Sequence, residues 1–316
     1  MTAPSVVTFG EAMALLTSEQ VGPLRAARTF SLSVAGAESN VAVGLRRLGI
    51  ASAWCGRLGD DELGRMIVER LRAEQVDVRG VTWSRTEPTG LMLKERRTSE
   101  TVRVVYYRRG SAASRIEAGH LDPDLIRSAA VLHLTGITPA LSERAAAAVW
   151  LACDIARKAD VLISVDVNHR SALWGTDEAV PVLRELVGRS DIVFATAEEA
   201  SMILGSQAEP DALAARLVAM GAQEAVVKTG ESGAVALAAG RVYAQEARRV
   251  TVVDPVGAGD AFVAGYLAGW LEEAAPADRL RQAVDMGSYA VTVPGDCDGL
   301  PTREELAAFG GPDIQR

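Results

Sequence analysis

The sequence predicts an α/β protein built on a mostly parallel sheet. In the middle of the chain, apolar runs of strand length alternate with helical segments, namely strands at 131–134, 161–167 and 191–195 and helices at 142–158 and 176–187. Alternation of this kind predicts parallel strands with helices on both faces of the sheet. The 316 residues and the hydrophobic content of 48% suffice for a buried core, and no linker or internal repeat divides the chain. We therefore expect one domain over residues 1–316.

The first hundred residues add further elements. Residues 5–9 form a short apolar strand ending at Gly10-Glu11, and residues 12–33 alternate in a way that is typical of strands. Residues 36–40 are predicted to open a helix, because Val41, Leu45 and Leu48 recur at helical spacing before Gly49. The alternative for Glu38 or Asn40 is that either residue only caps this helix. A second amphipathic helix is predicted over 60–74, with a purely structural role.

A β-hairpin is predicted from segments 88–94 and 101–109, turning at 98–100. Its second strand alternates, so one apolar face ends in Tyr106 and Arg108. A guanidinium at the end of an apolar face suits a carboxylate ligand, because its fork donates two parallel hydrogen bonds. The alternative is that Arg108 is only a solvated strand end.

The stretch 251–270, TVVDPVGAGDAFVAGYLAGW, predicts a strand over 251–253, a glycine turn and a helix. Gly257 and Gly259 lack side chains, so the N–H groups of Gly257, Ala258 and Gly259 can converge on an anion beside the positive end of the helix. Asp260, in the first helical turn, suggests proton transfer next to a developing negative charge, with the helix dipole keeping the carboxylate ionised. The alternative is that Asp260 merely caps the helix.

Two other phosphate-binding motifs do not fit this turn. A dinucleotide fingerprint needs a third glycine where Phe262 stands, and it normally opens a domain. A P-loop is excluded, because the chain contains no Gly-Lys dipeptide.

Composition narrows the class of partner. The net charge of −8 and the pI near 5.1 argue against nucleic acid or an anionic membrane surface and favour a small molecule. The cysteines lack metal-ligand spacing and the histidines form no cluster, which indicates a reducing cytoplasm without structural zinc. The N-terminal residues carry no basic segment before an apolar core, and no apolar run approaches the ~18 residues of a membrane span.

Polar residues follow the predicted parallel strands, where ligands gather in such sheets. Asn168, His169 and Arg170 follow the strand at 161–167, and Thr196 to Glu199 follow the strand at 191–195. Arg170 has an alternative reading as a surface ion-pair partner. A strand at 225–228 ends in Lys228 and leads through the loop 229–233 into a strand at 234–237. A helix at 278–291 precedes the turn 294–299, where Asp296 is either solvated or functional.

Several of these segments resemble the PfkB (ribokinase-like) family of sugar kinases. DPVGAGDAF resembles its C-terminal signature, and AGAESN with GLRRLG and CGRLGDDELG resembles its N-terminal signature. VVYYRRGSA resembles the lid of the 2-keto-3-deoxygluconate kinases of this family, and VDVNHR resembles their VDVNYR. The resemblance covers essentially the whole chain.

The resemblance implies a three-layer ribokinase-like fold with a small β-sheet lid made from insertions near 12–35 and 88–111. It implies ATP-dependent phosphorylation of the terminal C6 hydroxyl of 2-keto-3-deoxygluconate, with ATP and Mg²⁺ as cofactors and a monovalent cation left open. A homo-oligomer is expected.

The resemblance also assigns residue roles. Asp260 would be the general base, and the turn Gly257-Ala258-Gly259 would hold the migrating charge. The sugar contacts would be Gly36, Asn40, Tyr106, Arg108, Arg170, Asp260 and Asp296. The nucleotide contacts would be Asn168, Arg170, Thr196, Lys228, Thr229, Gly230, Gly233, Gly257 and Gly259. Glu199 would organise magnesium through water.

Three positions depart from the family pattern. Met92 stands where the nearest relatives often have an aromatic residue, His169 replaces a Tyr, and Thr196 replaces an Asn. Two alternatives stay open. A fructokinase or ribokinase shares both signatures but needs no residue that binds a substrate carboxylate, so Arg108 and Arg170 disfavour it. A non-catalytic sugar or nucleotide sensor would be expected to lose the base, so Asp260 disfavours that reading.

Overall fold

The computed structural model describes residues 3–98 and 101–309. In this part of the chain the strands are β1 (Val6–Phe9), β2 (Met13–Ser18), β3 (Phe30–Ala35), β4 (Ser52–Gly59), β5 (Val81–Ser84), β6 (Gly90–Arg96), β7 (Val102–Tyr107), β8 (Val131–Thr135), β9 (Leu162–Asp166), β10 (Ile192–Thr196), β11 (Glu224–Lys228), β12 (Ala234–Ala238) and β13 (Arg241–Gln245). The helices are α1 (Ala37–Arg47), α2 (Glu62–Ala73), α3 (Pro123–Arg127), α4 (Ile137–Leu141), α5 (Glu143–Lys158), α6 (Thr176–Gly188), α7 (Ala197–Leu204), α8 (Pro210–Ala219), α9 (Ala258–Leu271), α10 (Pro276–Ala290) and α11 (Arg303–Ala308). No helix within these ranges is long and apolar enough to cross a membrane.

Nine strands form a large sheet in the order β13-β12-β11-β10-β9-β8-β1-β4-β5. The strands from β11 to β5 run parallel, which confirms the α/β prediction, whereas β12 and β13 are antiparallel to their neighbours. The five-residue connection between β11 and β12 explains this difference, because so short a link allows only a hairpin and not a parallel crossover.

Helices cover both faces of the large sheet, so the fold has three layers. On one face, α1, α9 and α10 pack against strand residues such as Val6, Val131 and Phe194. On the other face, α5 packs against β1, β8 and β9, while α6, α7 and α8 pack against β10 and β11. The helix α9 is buried on nearly every side, since α1 and α10 flank it. Burial of the whole helix fixes the position of its N-terminus.

The other four strands form a small sheet in the order β3-β2-β6-β7. These strands lie within the ranges 12–35 and 88–111, and β6 and β7 are antiparallel, as a hairpin requires. Of the predicted hairpin turn, Ser99 and Glu100 lie outside the described residues. The inner face of this sheet carries Met13, Leu15, Met92 and Val104, which pack together. The alternation predicted for β7 is therefore present.

The strand predicted over 251–253 is wrong. The segment is an extended loop, in which Val252 and Val253 are 52% and 57% exposed. Within this segment, the N–H group of Val253 donates to the carbonyl oxygen of Val291, just beyond α10, at 2.7 Å. A β-branched run favours extended backbone, but it forms a strand only where a neighbouring strand offers partners. The glycine turn and the helix that follow it are present.

Candidate active site

A cavity of about 970 Å³ lies between the inner face of the small sheet and the carboxyl ends of the parallel strands. It also includes the N-terminus of α9. Most of the predicted site residues line it, namely Gly36, Asn40, Tyr106, Arg108, Asn168, Arg170, Thr196, Glu199, Lys228, Gly230, Gly233, Gly257, Ala258, Gly259, Asp260 and Asp296. Thr229 is the exception, because it does not line the cavity and its N–H donates instead to the carbonyl oxygen of Gly233 at 2.9 Å.

The glycine turn places a helix N-terminus at the cavity wall. Gly257 precedes α9 with φ of +81°, in the left-handed region that glycine adopts without strain. A Cβ atom at this position would also collide with the carbonyl oxygen of Asp296. The first N–H groups of a helix have no partner within the helix. The N–H groups of Gly257, Ala258 and Gly259 therefore remain available for an anion at this wall.

Asp260 faces this turn and is almost fully buried. Asn40 joins it to a second acid: the Asn40 Nδ2 atom donates to Asp260 Oδ2 at 2.8 Å and to Asp296 Oδ1 at 2.9 Å. Burial, followed by the charge of Asp296, raises the pKa of Asp260 to about 8. Burial also raises the pKa of Asp296 to about 6. Burial therefore opposes the ionised form of Asp260 that the helix dipole is expected to favour.

Asn40 owes its position to the start of α1. It lies in the first turns of this helix, and its N–H donates to the carbonyl oxygen of Gly36 at 2.8 Å. A side chain at Gly36 would run into the backbone of Glu11 and the hydroxyl of Ser39. The small residue at this position therefore lets α1 approach the end of β1, which brings Asn40 up to α9.

The two predicted arginines differ in their surroundings. Arg108 is buried, forms an ion pair with Glu11 and lies over the Tyr106 ring at 5.4 Å from the ring centroid. Its Nε atom is buried and has no hydrogen-bond partner among the described residues. Arg170 is exposed at the cavity wall, and its charge favours the ionised forms of Asp260 and Asp296. Arg108 is therefore already charge-balanced, whereas Arg170 has no ion pair to any residue that the structure describes.

Lys228 forms a second polar cluster at the ends of β9, β10 and β11. Its Nζ atom donates to both carboxylate oxygens of Asp166, at 2.7 and 2.9 Å. Burial tends to lower the pKa of Lys228, but the carboxylates of Asp166, Glu199 and Asp260 raise it above its usual value. A Cβ atom at Gly259 would lie 3.7 Å from this ammonium group. Lys228 therefore supplies positive charge next to the glycine turn.

Glu199 is held by backbone donors rather than by side chains. Its two carboxylate oxygens accept from His169 N–H and from Thr196 N–H, both at 2.8 Å. Thr196 completes the arrangement by capping α7, since its hydroxyl accepts from Glu199 N–H. Nearby, Asn168 has φ of +43°, a left-handed conformation that Asn tolerates better than most residues. Both carboxylate oxygens of Glu199 are thus already occupied by protein donors.

An apolar wall at the far end of the cavity was not predicted. The loop leading to the glycine turn contributes Val250 and Val252, and α10 and its end contribute Val284, Gly287 and Val291. Apolar side chains with a small residue between them suit a flat aromatic ring.

Four charged residues of the cavity region also escaped the sequence analysis: Glu11, Lys94, Asp166 and Asp254. Glu11 and Asp166 lie at the carboxyl ends of β1 and β9, a position that by itself favours a role in ligand binding. Lys94 follows Met92 by two positions, so the strand alternation places it on the inner face. Asp254 lies in the DPVGAGD motif. Their pairing could not be read from the sequence, since it joins residues more than 60 positions apart.

Comparison with known proteins agrees with this geometry. The sequence model of the family described as "pfkB family carbohydrate kinase" matches residues 3–303. A 2-dehydro-3-deoxygluconokinase of Bacillus subtilis (strain 168) is 39% identical over 307 residues, covering 96% of this chain and 94% of that protein. A 2-dehydro-3-deoxygluconokinase of Thermoproteus tenax is 35% identical over 305 residues, covering 95% and 92%. An E. coli protein provisionally assigned as ribokinase II, in complex with ATP and Mg²⁺, has a TM-score of 0.90 at 25% identity, covering 97% and 98%.

The three-layer domain, the small second sheet and the glycine turn at a buried helix N-terminus together define a ribokinase-like α/β protein. The predicted fold class is thereby confirmed. The chain belongs to the pfkB family of carbohydrate kinases, whose match spans nearly all of it. It is a sugar kinase of an ATP-dependent family.

Proposed function

We propose that this sugar kinase transfers the γ-phosphoryl group of ATP to the terminal C6 hydroxyl of 2-keto-3-deoxygluconate. The observation that carries the proposal is the meeting, in one cavity, of the Asp260 carboxyl group, the N–H groups of the glycine turn at the start of α9 and two arginines. The names of the Bacillus subtilis and Thermoproteus tenax relatives, both 2-dehydro-3-deoxygluconokinases, support the choice of this sugar acid.

In the proposed mechanism, Asp260 accepts the proton of the C6 hydroxyl while that oxygen attacks the γ-phosphorus in line. The new O–P bond forms as the bond from the γ-phosphorus to the bridging oxygen breaks, and ADP leaves. The N–H groups of Gly257, Ala258 and Gly259 stabilise the charge on the transferring group. Asp260 must be ionised to act, and the field of Arg170 favours that form.

The nucleotide would lie along the strand ends, with its phosphates near the glycine turn and Lys228. The N–H groups of the turn and the adjacent ammonium fit an anion there, and the apolar wall of Val250, Val252, Val284 and Val291 fits the adenine ring. Asn168, Thr196, Gly230 and Gly233 would complete this end of the site.

Magnesium bound with ATP would neutralise phosphate charge. Glu199 would hold it through water, which agrees with both oxygens of Glu199 already accepting protein N–H groups. Comparing turnover in sodium and potassium salts decides whether a monovalent cation is a further cofactor.

The sugar acid would lie between the small sheet and α9. Gly36, Asn40 and Asp296 would contact its hydroxyl groups, and Tyr106 would pack against its carbon chain. Arg108 and Arg170 would bind the carboxylate. Arg108 uses only one of its nitrogens for Glu11, so donors remain free for a ligand. In this arrangement the small sheet acts as a lid over the sugar.

We further propose that the enzyme works in the cytoplasm as a homo-oligomer. The three cysteines are free and buried, which suits a reducing compartment. The outer face of the small sheet is apolar, since Leu32, Leu16, Leu93 and Val105 lie side by side across its four strands. Leu32 is 50% exposed. Exposed apolar surface of this kind is typical of subunit contacts.

A coupled assay of ADP release tests the substrate assignment. The wild-type protein is given ATP and Mg²⁺ with 2-keto-3-deoxygluconate, fructose or ribose in turn. The proposal predicts the highest kcat/KM with the sugar acid. A higher kcat/KM with fructose or ribose would contradict it and would favour the corresponding neutral-sugar kinase.

A further inference from the structure

A buried lysine of the small sheet reaches the loop that carries the glycine turn. Lys94 lies on the inner face of β6 and is only 3% exposed. Its Nζ atom donates to Asp254 Oδ2, forming an ion pair between the small sheet and the large domain. The sequence positions of the two partners differ by 160.

Asp254 in turn holds two backbone segments together. Its Oδ1 atom accepts from Val256 N–H at 3.2 Å, and its Oδ2 atom accepts from Gly295 N–H at 3.2 Å. Val256 directly precedes the glycine turn, and Gly295 directly precedes Asp296. One carboxylate therefore fixes both the turn that offers N–H groups to an anion and the loop that carries an acid of the sugar site.

The two segments that Asp254 joins are also in direct contact. The tight approach of Gly257 to the carbonyl oxygen of Asp296 leaves no room for a Cβ atom. A small shift of either segment would therefore move the other. Since Lys94 supplies the positive charge that Asp254 needs in a buried setting, the position of the small sheet is linked to the geometry of the turn.

Stability alone does not account for such a pair. Burying two charges costs desolvation energy, and well-packed apolar residues often replace a buried ion pair without loss of stability. On the inner face, Lys94 has Met92 on its own strand, Val104 on β7 and the uncharged Thr17 on β2 as neighbours. A buried lysine in this position is explained if its ion pair with Asp254 has a functional role when the small sheet packs against the large domain.

We propose that Lys94 is a positioning residue, which through Asp254 aligns the glycine turn for phosphoryl transfer when the small sheet lies over the sugar. This inference rests on the proposed mechanism, in which the turn stabilises the transferring group. It does not depend on which sugar is phosphorylated.

The test compares Lys94→Met, Asp254→Asn and the double variant, assayed with the sugar that the wild type uses fastest. Lys94→Met should lower kcat by about 10²-fold, the usual cost of a misplaced catalytic group, while KM for ATP and for the sugar changes little. Lys158→Met, at the exposed end of α5, is the matched control and should keep wild-type kcat.

The double variant separates positioning from folding. Asp254→Asn removes the carboxylate that Lys94→Met leaves unpaired, so the melting temperature should recover toward the wild-type value while kcat stays low. If kcat recovers together with the melting temperature, Lys94 has only a structural role and the inference is wrong. Should Lys94→Met fail to fold, the double variant alone gives the same decision. Failure of the wild type on sugar acids would refute the substrate assignment and leave this comparison intact with fructose or ribose.

Discussion

At Asp260, the proposed catalytic role and the stability of the folded protein make opposite demands. The carboxyl group has a pKa of about 8 in the folded protein and would have a value near 3.8 when unfolded. Between these two values the unfolded chain releases the proton and the folded protein retains it. The free energy of unfolding therefore falls as pH rises through this window. An ionised carboxylate in such a site costs stability at neutral pH.

Asp260→Asn should therefore raise the melting temperature, and the gain over the wild type should grow from about pH 4 to about pH 8. Asn keeps an oxygen that can accept from Asn40 but carries no charge to desolvate. A shift of about 2–4 °C is expected for each kcal/mol of relief. Thermal denaturation of both proteins across this pH range measures it. A variant less stable than the wild type at pH 8 would show that the charge is compensated in the folded site.

Arg108 and Arg170 should control selectivity between acidic and neutral sugars. Each charge-assisted contact is worth roughly 1.5–3 kcal/mol, so Arg108→Ala or Arg170→Ala should raise KM for the sugar acid roughly ten- to a hundredfold. Use of fructose should change far less. Arg103→Ala, on the same small-sheet strand as Tyr106 but outside the cavity, is the control.

Equal losses on acidic and neutral sugars would assign the arginines to ATP or to the fold. Titration of ATP at saturating sugar separates these roles. If only KM for ATP rises in Arg170→Ala, that residue belongs to the nucleotide end and Arg108 is the sole carboxylate reader. Arg108→Ala also leaves Glu11 unpaired and buried, so its melting temperature must be measured alongside.

At the scale of elements, the glycine turn depends on backbone geometry that only one of its two glycines requires. Gly257→Ala would place a Cβ atom against the carbonyl oxygen of Asp296 at a positive φ, whereas a Cβ atom at Gly259 meets only the tip of Lys228. Gly257→Ala should destabilise the protein by about 1–3 kcal/mol or more, and Gly259→Ala should not. Chemical denaturation of the two variants measures the difference. Equal stability would mean that the turn adapts to a side chain.

The elements that the sequence predicted well are those whose pattern is local. Helices such as α1, α2, α5 and α6 follow from apolar residues at helical spacing, and β8, β9 and β10 from short apolar runs between them. The loop at 251–253 shows the limit of such reasoning. Its residues favour extended backbone, but whether a neighbouring strand is present depends on the tertiary fold. The strands β4, β5 and β13 were not predicted for the same reason.

At the scale of the molecule, the sequence indicated most of the polar residues that line the cavity but not the contacts between them. Motifs at strand ends and at a helix N-terminus converge, because parallel strands end at one edge of the sheet. Contacts across the cavity, such as Arg108 with Glu11 and Lys94 with Asp254, join the small sheet to residues far away in the chain. No local pattern encodes them. Thr229 is adjacent in sequence to residues that line the cavity, but its N–H donates to Gly233 within its own hairpin loop.

The proposed oligomer is also a property of the whole molecule. Leu32→Glu should dissociate it, because a charge would be buried in an apolar contact between the outer faces of two small sheets. Light scattering after size-exclusion chromatography measures the mass. Leu151→Glu, at a 39% exposed leucine on α5, is the control and should leave the mass unchanged. A monomeric wild type, or a Leu32→Glu variant with the wild-type mass, would contradict this assembly.

Turnover of Asp260→Asn with saturating ATP, Mg²⁺ and 2-keto-3-deoxygluconate tests the central claim most directly. Binding of both substrates should persist, because Asn preserves the shape of the site and its hydrogen bond with Asn40. The account predicts that kcat falls by about 10²-fold or more, the usual contribution of a general base, with KM values close to those of the wild type. A kcat near that of the wild type would contradict the assignment of Asp260 as the base.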